Sequence, residues 1–201
     1  MFFFDTAKLL PRAEVESEIP ESELVEAARN GDEDAFVQLA KLYHGRVWAT
    51  ASRYARSRAE LEDLVQDLFV KIWKGLPTFK NKSPFEHWLM RVTIRGCYDF
   101  LRKNRKRRES EILTGDVFES MSQIQSDEGA EMRSNASEIV AILLERLDPK
   151  DRTVITLLEL EERSVRETAA LTGWSESNVK VRAFRARKKM KDLFEKLGLE
   201  K

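Results

Sequence analysis

Apolar residues recur at three- and four-residue steps along two separate stretches of the chain, which is the period of an amphipathic helix. In the first stretch, capping residues divide the pattern into four predicted helices. They begin at Ser22, at Asp32, at the capping box Ser57-x-x-Glu60 and at the capping box Ser83-Pro84-Phe85-Glu86. Gly31 and Gly75 end the first and third of these helices. We therefore predict a four-helix bundle over about residues 22–105.

A second stretch with the same period predicts a smaller helical unit over residues 137–197. Its later helices begin at Asp148-Pro149, at the capping box Ser164-x-x-Glu167 and at Ser175. Residues 106–136 lose the period and are rich in Ser, Gly, Asp and Glu, which predicts a linker. Residues 1–21 are acidic and show no sustained period, which predicts a loose arm. The predicted fold class is all-α, with two small helical domains joined by a flexible linker.

The charge distribution adds a feature that the apolar pattern does not contain. Gly (8) and Pro (5) are scarce, as expected for helices, and the formal net charge is zero. The charges are nevertheless segregated: ten acids against three bases over 1–36, eight bases against one acid over 91–108, eight acids against one base over 109–138, and seven bases against one acid over 175–191. Two basic blocks separated by an acidic one indicate two surfaces that bind a polyanion. On charge alone, solvated helix faces explain the pattern equally well.

The sequence contains no pattern typical of an enzyme, a metal site or a membrane span. The single Cys97 cannot form an intramolecular disulfide and fits a reducing cytosol. His44 and His87 belong to no nucleophile or metal pattern, and no Gly-rich phosphate loop is present. No apolar run approaches the ~18 residues of a membrane span, and Met1-Phe2-Phe3-Phe4 is too short for a signal peptide. We therefore expect a cytoplasmic protein that is not an enzyme, with no metal, no cofactor and no membrane insertion.

The segment Ser164–Lys189 has the form of a helix-turn-helix: a short helix, a turn that contains Gly173, and a basic second helix. In such a unit the N-terminal part of the second helix enters the major groove of DNA. Arg and Lys can donate to guanine O6 and N7, and Asn can pair with adenine. An ordinary antiparallel helical hairpin with a solvated basic face is the alternative. The positions that would enter the groove are Ser175, Glu176, Ser177, Asn178, Lys180, Val181, Arg182 and Arg185.

The same part of the chain resembles region 4 of the extracytoplasmic-function (ECF) sigma factors, which are bacterial RNA polymerase subunits. The similarity runs from Leu147-Asp148-Pro149-Lys150-Asp151-Arg152 to Phe184-Arg185-Ala186-Arg187, and residues 178–187 are close to the family's recognition helix. Asn178 stands where the family usually has Thr, and Val181 where it usually has Ser. The resemblance implies that the −35 promoter element is contacted by Ser175, Ser177, Asn178, Lys180, Val181, Arg182 and Arg185.

The first predicted bundle resembles region 2 of the same family. Residues 61–73 are similar to the helix that docks on the polymerase clamp, and their polar side carries acids that suit a basic partner surface. Helix solubility is the plainer explanation of those acids. The predicted polymerase contacts are Glu62, Asp63, Gln66, Asp67 and Lys71.

The stretch from Phe79 through Trp88-Leu89 to Asp99-Phe100-Leu101-Arg102 resembles the loop and helix that open the −10 element. Aromatic rings beside cations also suit single-stranded DNA, where a stacked base contributes ~1–3 kcal/mol. Core packing is the competing interpretation, and we favour it for Trp88, while the loop Lys80–Ser83 is expected to face DNA. The predicted −10 contacts are Phe79, Lys80, Asn81, Lys82, Ser83, Phe85, Trp88, Arg91 and Arg95.

Region 2, a linker and region 4 follow one another in the family's order over residues 22–197. The resemblance therefore implies a sigma factor that binds the clamp and flap of core RNA polymerase, recognises promoter DNA at the −35 and −10 elements, and helps to melt the −10 region. It also implies an anti-sigma factor as a partner. The alternative from another class is a helix-turn-helix transcriptional regulator that acts without core polymerase, as a dimer on a palindrome.

Overall fold

The computed structural model describes residues 19–114 and 135–196, with side chains over 19–105 and 139–196. Within these ranges the regular structure is helical and no strand occurs. The chain divides into two compact units, residues 1–97 and 98–201. The prediction of an all-α fold is confirmed.

Four helices build the first unit: α1 (Glu21–Arg29), α2 (Glu33–Ala51), α3 (Arg58–Gly75) and the beginning of α4 (Phe85–Thr114), with a 3-10 turn at Leu76–Thr78. Asp32 caps α2 by accepting the Ala35 N–H at 3.0 Å, and Ser57 caps α3 by accepting the Glu60 N–H at 3.2 Å. Both caps satisfy a backbone donor that the first helical turn leaves unpaired. The predicted cap at Ser22 is wrong, because α1 has already begun one residue earlier and has no side-chain cap bond.

The apolar stripes of α2, α3 and α4 form the core of the first unit. Large side chains with almost no exposed surface are Phe36, Leu39 and Val47 in α2, Leu68, Phe69 and Ile72 in α3, and Leu89 and Ile94 in α4. Burying a side chain of this size contributes ~1.5–3 kcal/mol relative to leaving it in water. Gly96 of α4 is buried where a Cβ atom would overlap Leu68 Cδ2. The contact with Leu68 therefore requires a residue without a side chain at position 96.

Helix α4 is longer than the sequence pattern predicts. The predicted bundle ends at residue 105, but the helix continues to Thr114, so the first part of the predicted linker, residues 106–114, is helical. Its basic residues are good helix formers, and they extend a helix without needing an apolar stripe. The rest of the predicted linker, 115–134, and most of the predicted arm, 1–18, lie outside the described residues.

The second unit contains α5 (Asn135–Glu145), α6 (Pro149–Ile155), a π-helical turn (Thr156–Leu160), α7 (Val165–Thr172) and α8 (Glu176–Lys196). Seven of its buried apolar residues form two clusters, one of Leu144, Leu147, Ile155 and Ala186, and one of Val154, Val179 and Ala183. In both clusters α6 packs against α8. The contact residues of α8 are small or of medium size, which allows the two helices to approach closely.

Candidate nucleic-acid and polymerase interfaces

Helices α7 and α8 form the predicted helix-turn-helix. Ser164 Oγ accepts the Glu167 N–H at 3.2 Å, and the Glu167 carboxylate accepts the Ser164 N–H at 2.9 Å, which completes the capping box of α7. The Ser164 hydroxyl also donates to Glu167 Oε2 at 2.6 Å, and this hydrogen bond, together with the one from the Ser164 N–H, lowers the pKa of Glu167 and favours its ionised form. Gly173 ends α7 with φ +77°, and Ser175 Oγ then accepts the Asn178 N–H at 3.2 Å. The turn therefore determines where α8 begins.

One side of α8 faces the core of the second unit, and the opposite side faces solvent. Val179, Ala183 and Ala186 are buried. Since each helical residue turns by about 100°, the opposite side carries the exposed residues Ser177, Val181, Phe184, Arg185 and Lys188. Val181 is 48% exposed and Phe184 is 70% exposed. A mixed apolar and basic stripe of this kind suits the major groove, where thymine presents a methyl group and guanine presents two acceptors.

Six of the seven predicted −35 contacts are exposed on α8 or its cap: Ser175, Ser177, Asn178, Lys180, Val181 and Arg185. The seventh, Arg182, lies at the flank of the stripe, and its side chain is only 24% exposed. Its guanidinium donates to Asp151 Oδ1 and to Asn178 Oδ1, both at 2.8 Å, and lies 5.7 Å from the Trp174 ring centroid. A contact between Arg182 and a base would have to replace these contacts within the protein.

The predicted set omits Phe184 and Lys188. Phe184 is the second residue of an apolar pair in the family's pattern, and an apolar residue in a helix is usually assigned to the core. The helical period of α8 could have predicted that Phe184 is exposed. Because Ala183 faces the core, the next residue is turned about 100° away from it.

Phe79, Phe85 and Trp88 form an aromatic cluster at the two ends of the loop 80–84. The ring centroids are 5.5 Å apart for Phe79 and Phe85, 5.5 Å for Phe79 and Trp88, and 5.7 Å for Phe85 and Trp88. Phe79 and Phe85 are each 5% exposed, and Trp88 is half-buried. Core packing is thus the observed arrangement of both phenylalanines, and the expectation that their rings lie open to a base does not fit this burial.

The loop between the two phenylalanines is largely exposed, so its polar residues are accessible where the rings are not. Asn81 has φ +52°, in the left-handed region that Asn tolerates better than most residues. On α4, Arg91 and Arg95 lie one helical turn apart. The accessible or partly accessible residues of the predicted −10 surface are Lys80, Asn81, Lys82, Ser83, Trp88, Arg91 and Arg95.

Helix α1 is linked to the residues around this aromatic cluster by two hydrogen bonds that the sequence did not predict. Tyr43 of α2 packs edge-on against Phe85 with the centroids 5.5 Å apart, and its hydroxyl donates to Glu21 Oε2 at 2.7 Å. Burial and the neighbouring Glu21 carboxylate raise the pKa of Tyr43, which keeps the hydroxyl protonated as a donor. Arg29 donates to the Phe79 carbonyl at 3.5 Å. Nothing in the sequence indicates these pairs, because their members are far apart along the chain.

The predicted polymerase contacts share one side of α3. Glu62, Asp63 and Asp67 are exposed, while Gln66 and Lys71 are half-buried. Glu62 pairs with Arg58 one turn earlier at 3.1 Å, and such an exposed pair contributes little to stability. Asp63 and Asp67 are also one turn apart, so they present two neighbouring carboxylates to solvent.

Neither a metal site nor a membrane-spanning helix is found in the parts of the chain that the structure describes. Over 19–105 and 139–196, where side chains are described, no three His, Cys, Asp or Glu residues are grouped as metal ligands. Among the helices of those ranges, none is both long enough and apolar enough to cross a membrane.

Comparison with known proteins matches both units to one family. Residues 39–107 match the model of sigma-70 region 2, and residues 138–190 match that of sigma-70 region 4. The chain is 32% identical over 170 residues to the ECF RNA polymerase sigma-E factor of Escherichia coli K12, covering 82% of this chain and 88% of the relative. The sigma-E factor of Haemophilus influenzae is 27% identical over 186 residues, covering 90% and 98%.

A solved structure has the same fold. CnrH, in complex with the cytosolic domain of CnrY, matches with a TM-score of 0.54 at 27% identity, over 87% of this chain and 97% of CnrH. The order of the two matched regions, the helix-turn-helix and the identity to the sigma-E factors agree with one another. The chain therefore belongs to the ECF sigma factors of the sigma-70 family, the initiation subunits with which core RNA polymerase recognises the −35 and −10 promoter elements.

Proposed function

We propose that the exposed stripe of α8 contacts the −35 element in the major groove. Val181 and Phe184 would lie against thymine methyl groups, while Arg185 and Lys188 would donate to guanine or to phosphate. The observation that carries this proposal is the 70% exposure of Phe184 on the basic helix of a helix-turn-helix. Val181 and Phe184 are three residues apart on α8, so they form one exposed apolar patch beside basic residues, which is typical of a surface that becomes covered when a partner binds.

For the −10 element, the proposed surface is the loop Lys80–Ser83 together with Arg91 and Arg95. The lysines and arginines supply phosphate contacts to the DNA strand. The buried rings of Phe79 and Phe85 support the loop from the protein side, in place of stacking on bases. A loop held in a defined shape lowers the entropy lost on binding, which offsets part of the few kcal/mol needed to extrude a base.

The acidic side of α3 is the proposed contact with the polymerase clamp, and the second unit is the proposed contact with the flap. Two adjacent carboxylates at Asp63 and Asp67 suit a basic docking surface, because complementary charge directs association and orientation. On this proposal the protein acts in the cytoplasm by binding and positioning, without catalysis and without a cofactor.

An anti-sigma factor is the proposed regulatory partner. CnrH is held in a complex with the cytosolic domain of CnrY, and the present chain shares its fold over most of its length. That likeness supports a protein partner here, and membership of the ECF sigma factors is the ground for proposing an anti-sigma factor. The two basic surfaces would then be the surfaces made unavailable to DNA.

Run-off transcription tests the proposed function as a whole. Core RNA polymerase is mixed with this protein and a promoter library, and transcripts are expected only when both proteins are present. A regulator that acts without polymerase would instead give a sequence-specific gel shift by itself, with no dependence of its footprint on core enzyme. Specific binding to a palindrome in the absence of core polymerase would contradict the proposal.

A further inference from the structure

The Arg182 side chain connects three parts of the second unit. One nitrogen donates to Asp151 Oδ1 of α6 at 2.8 Å, and Nε donates to Asn178 Oδ1 of α8 at 2.8 Å. The guanidinium also lies over the Trp174 ring, which belongs to the turn. The Asp151 and Arg182 side chains are 14% and 24% exposed, so water screens this ion pair less than it would a surface pair.

Because Asp151 lies on α6, its ion pair with Arg182 links α6 to α8. Asp151 lies in the first turn of α6, where the helix dipole favours a carboxylate. The buried residues of α8 that pack with α6 are Val179, Ala183 and Ala186, and their contacts are apolar and therefore non-directional. The charge-assisted hydrogen bond between Arg182 and Asp151 adds a directional contact between the same two helices.

Arg182 also determines which atom of Asn178 is available to DNA. Only the amide oxygen of Asn178 can accept from Nε, so this hydrogen bond assigns the oxygen to the Arg182 side. The Asn178 side chain remains exposed, and because its oxygen already accepts from Nε, its amide nitrogen is the atom more available to an outside partner. That nitrogen is a donor, which matches guanine O6 and N7, thymine O4 or adenine N7. The bidentate pairing that distinguishes adenine also needs the oxygen, turned so that it accepts from adenine N6.

We infer that Arg182 is a positioning residue that directs Asn178 to contact an acceptor atom in the −35 element, and that Asp151 holds Arg182 in place. This inference rests on the proposed −35 contact of α8. It replaces the sequence-based expectation that Arg182 itself contacts a base and that Asn178 pairs with adenine. It also concerns a position where this chain has Asn in place of the family's usual Thr, so the resulting base preference belongs to this chain.

The test is the base preference of the holoenzyme on a −35 library, measured for the wild type and for variants at three positions. Arg182→Ala releases the Asn178 oxygen and should shift the preference at one base pair towards adenine by about tenfold, within the range that a good base contact supplies. Asp151→Asn should shift the same base pair in the same direction by a smaller factor. In the Asn178→Ala background neither substitution should alter the base preference. If Arg182 and Asp151 also stabilise the fold, the overall affinity for DNA would still decrease in that background.

Arg182→Lys is the conservative variant that keeps the test decisive if the alanine variant folds poorly. Lysine retains the charge that pairs with Asp151 but cannot donate to Asp151 and Asn178 through one planar group. It should preserve the melting temperature and still shift the base preference. If the Arg182 variants shift a base preference in the Asn178→Ala background, Arg182 contacts that base and the inference is overturned. An unchanged preference in every variant also overturns it. A wild-type holoenzyme with no −35 preference at all would instead contradict the proposed function.

Discussion

The imidazole of His44 lies parallel to the ring of Phe69, with the ring centroids 6.2 Å apart and the planes 1° from parallel. His44 is 5% exposed, and neither of its nitrogens has a hydrogen-bond partner among the described residues. Burial therefore lowers the pKa of His44 below its ordinary value of 6.5. The folded first unit holds this histidine neutral.

We expect mild acid to destabilise the first unit through His44. Below pH 6.5 the unfolded chain binds a proton at His44 that the folded chain does not bind, so the free energy of unfolding decreases as the pH falls. The slope from this one group is at most about 1.4 kcal/mol per pH unit, and stability is full above the unfolded pKa. Denaturant unfolding of the wild type between about pH 7.5 and 5.5 measures this slope.

The substitution His44→Phe separates this effect from other titrations. Phenylalanine preserves the ring contact with Phe69 and cannot bind a proton, so the slope should become flatter. An equal slope in the wild type and in His44→Phe would show that His44 does not cause the acid sensitivity.

Two glycines in helices should respond to alanine in opposite directions. Gly96→Ala should destabilise the first unit by ~1–3 kcal/mol, because its Cβ would overlap the fully buried Leu68. Gly45→Ala should stabilise it by up to ~1 kcal/mol, because nothing lies within 4 Å of the new Cβ and alanine favours the helix. Thermal and denaturant unfolding of the two variants give the comparison. Equal effects would contradict the tight contact at Gly96.

Phe184→Ala should impair promoter recognition without affecting the fold. Because Phe184 is 70% exposed, its removal should change the free energy of unfolding by less than ~0.5 kcal/mol. Transcription from a −35-dependent promoter should fall about fivefold if the ring contacts a thymine methyl group. Replacing the −35 thymines by uracil, which lacks that methyl group, should bring the wild type to the level of the variant. Asp192→Ala, at an exposed acidic position later in α8, is the control.

Charge reversal on α3 should weaken binding to core polymerase. Asp63→Lys combined with Asp67→Lys should lower the affinity at least tenfold at low salt, because two complementary charges become repulsive. Circular dichroism should show unchanged helix content, since both side chains are exposed. Glu23→Lys combined with Glu33→Lys, at exposed positions of α1 and α2, makes the same change in net charge outside the proposed clamp and flap contacts, and it should leave core binding near the wild-type value. Unchanged core affinity in the α3 variant would exclude this face as the contact.

Most of the secondary structure follows from interactions between neighbours in the sequence. The caps at Asp32 and Ser57, the capping box at Ser164 and the end of α7 at Gly173 each depend on residues within four positions of one another. Local patterns of this kind can be recognised in the sequence without knowledge of the fold. The same period predicts which side of α8 faces the core, and with it the exposure of Phe184. Helix α4 is the exception, since its basic extension continues without an apolar stripe.

Only the tertiary structure determined which polar and aromatic side chains contact distant residues of the same chain. Arg182 pairs with Asp151 across 31 positions, Tyr43 with Glu21 across 22, and Arg29 donates to the Phe79 carbonyl across 50. The sequence contains these residues with the right chemistry but no local period that relates them. The sequence therefore predicted DNA contacts for Arg182 and Phe79, whereas in the structure Arg182 pairs with Asp151 and Phe79 is buried. Such long-range contacts depend on how the helices pack against one another, and the spacing of residues within any one helix does not determine them.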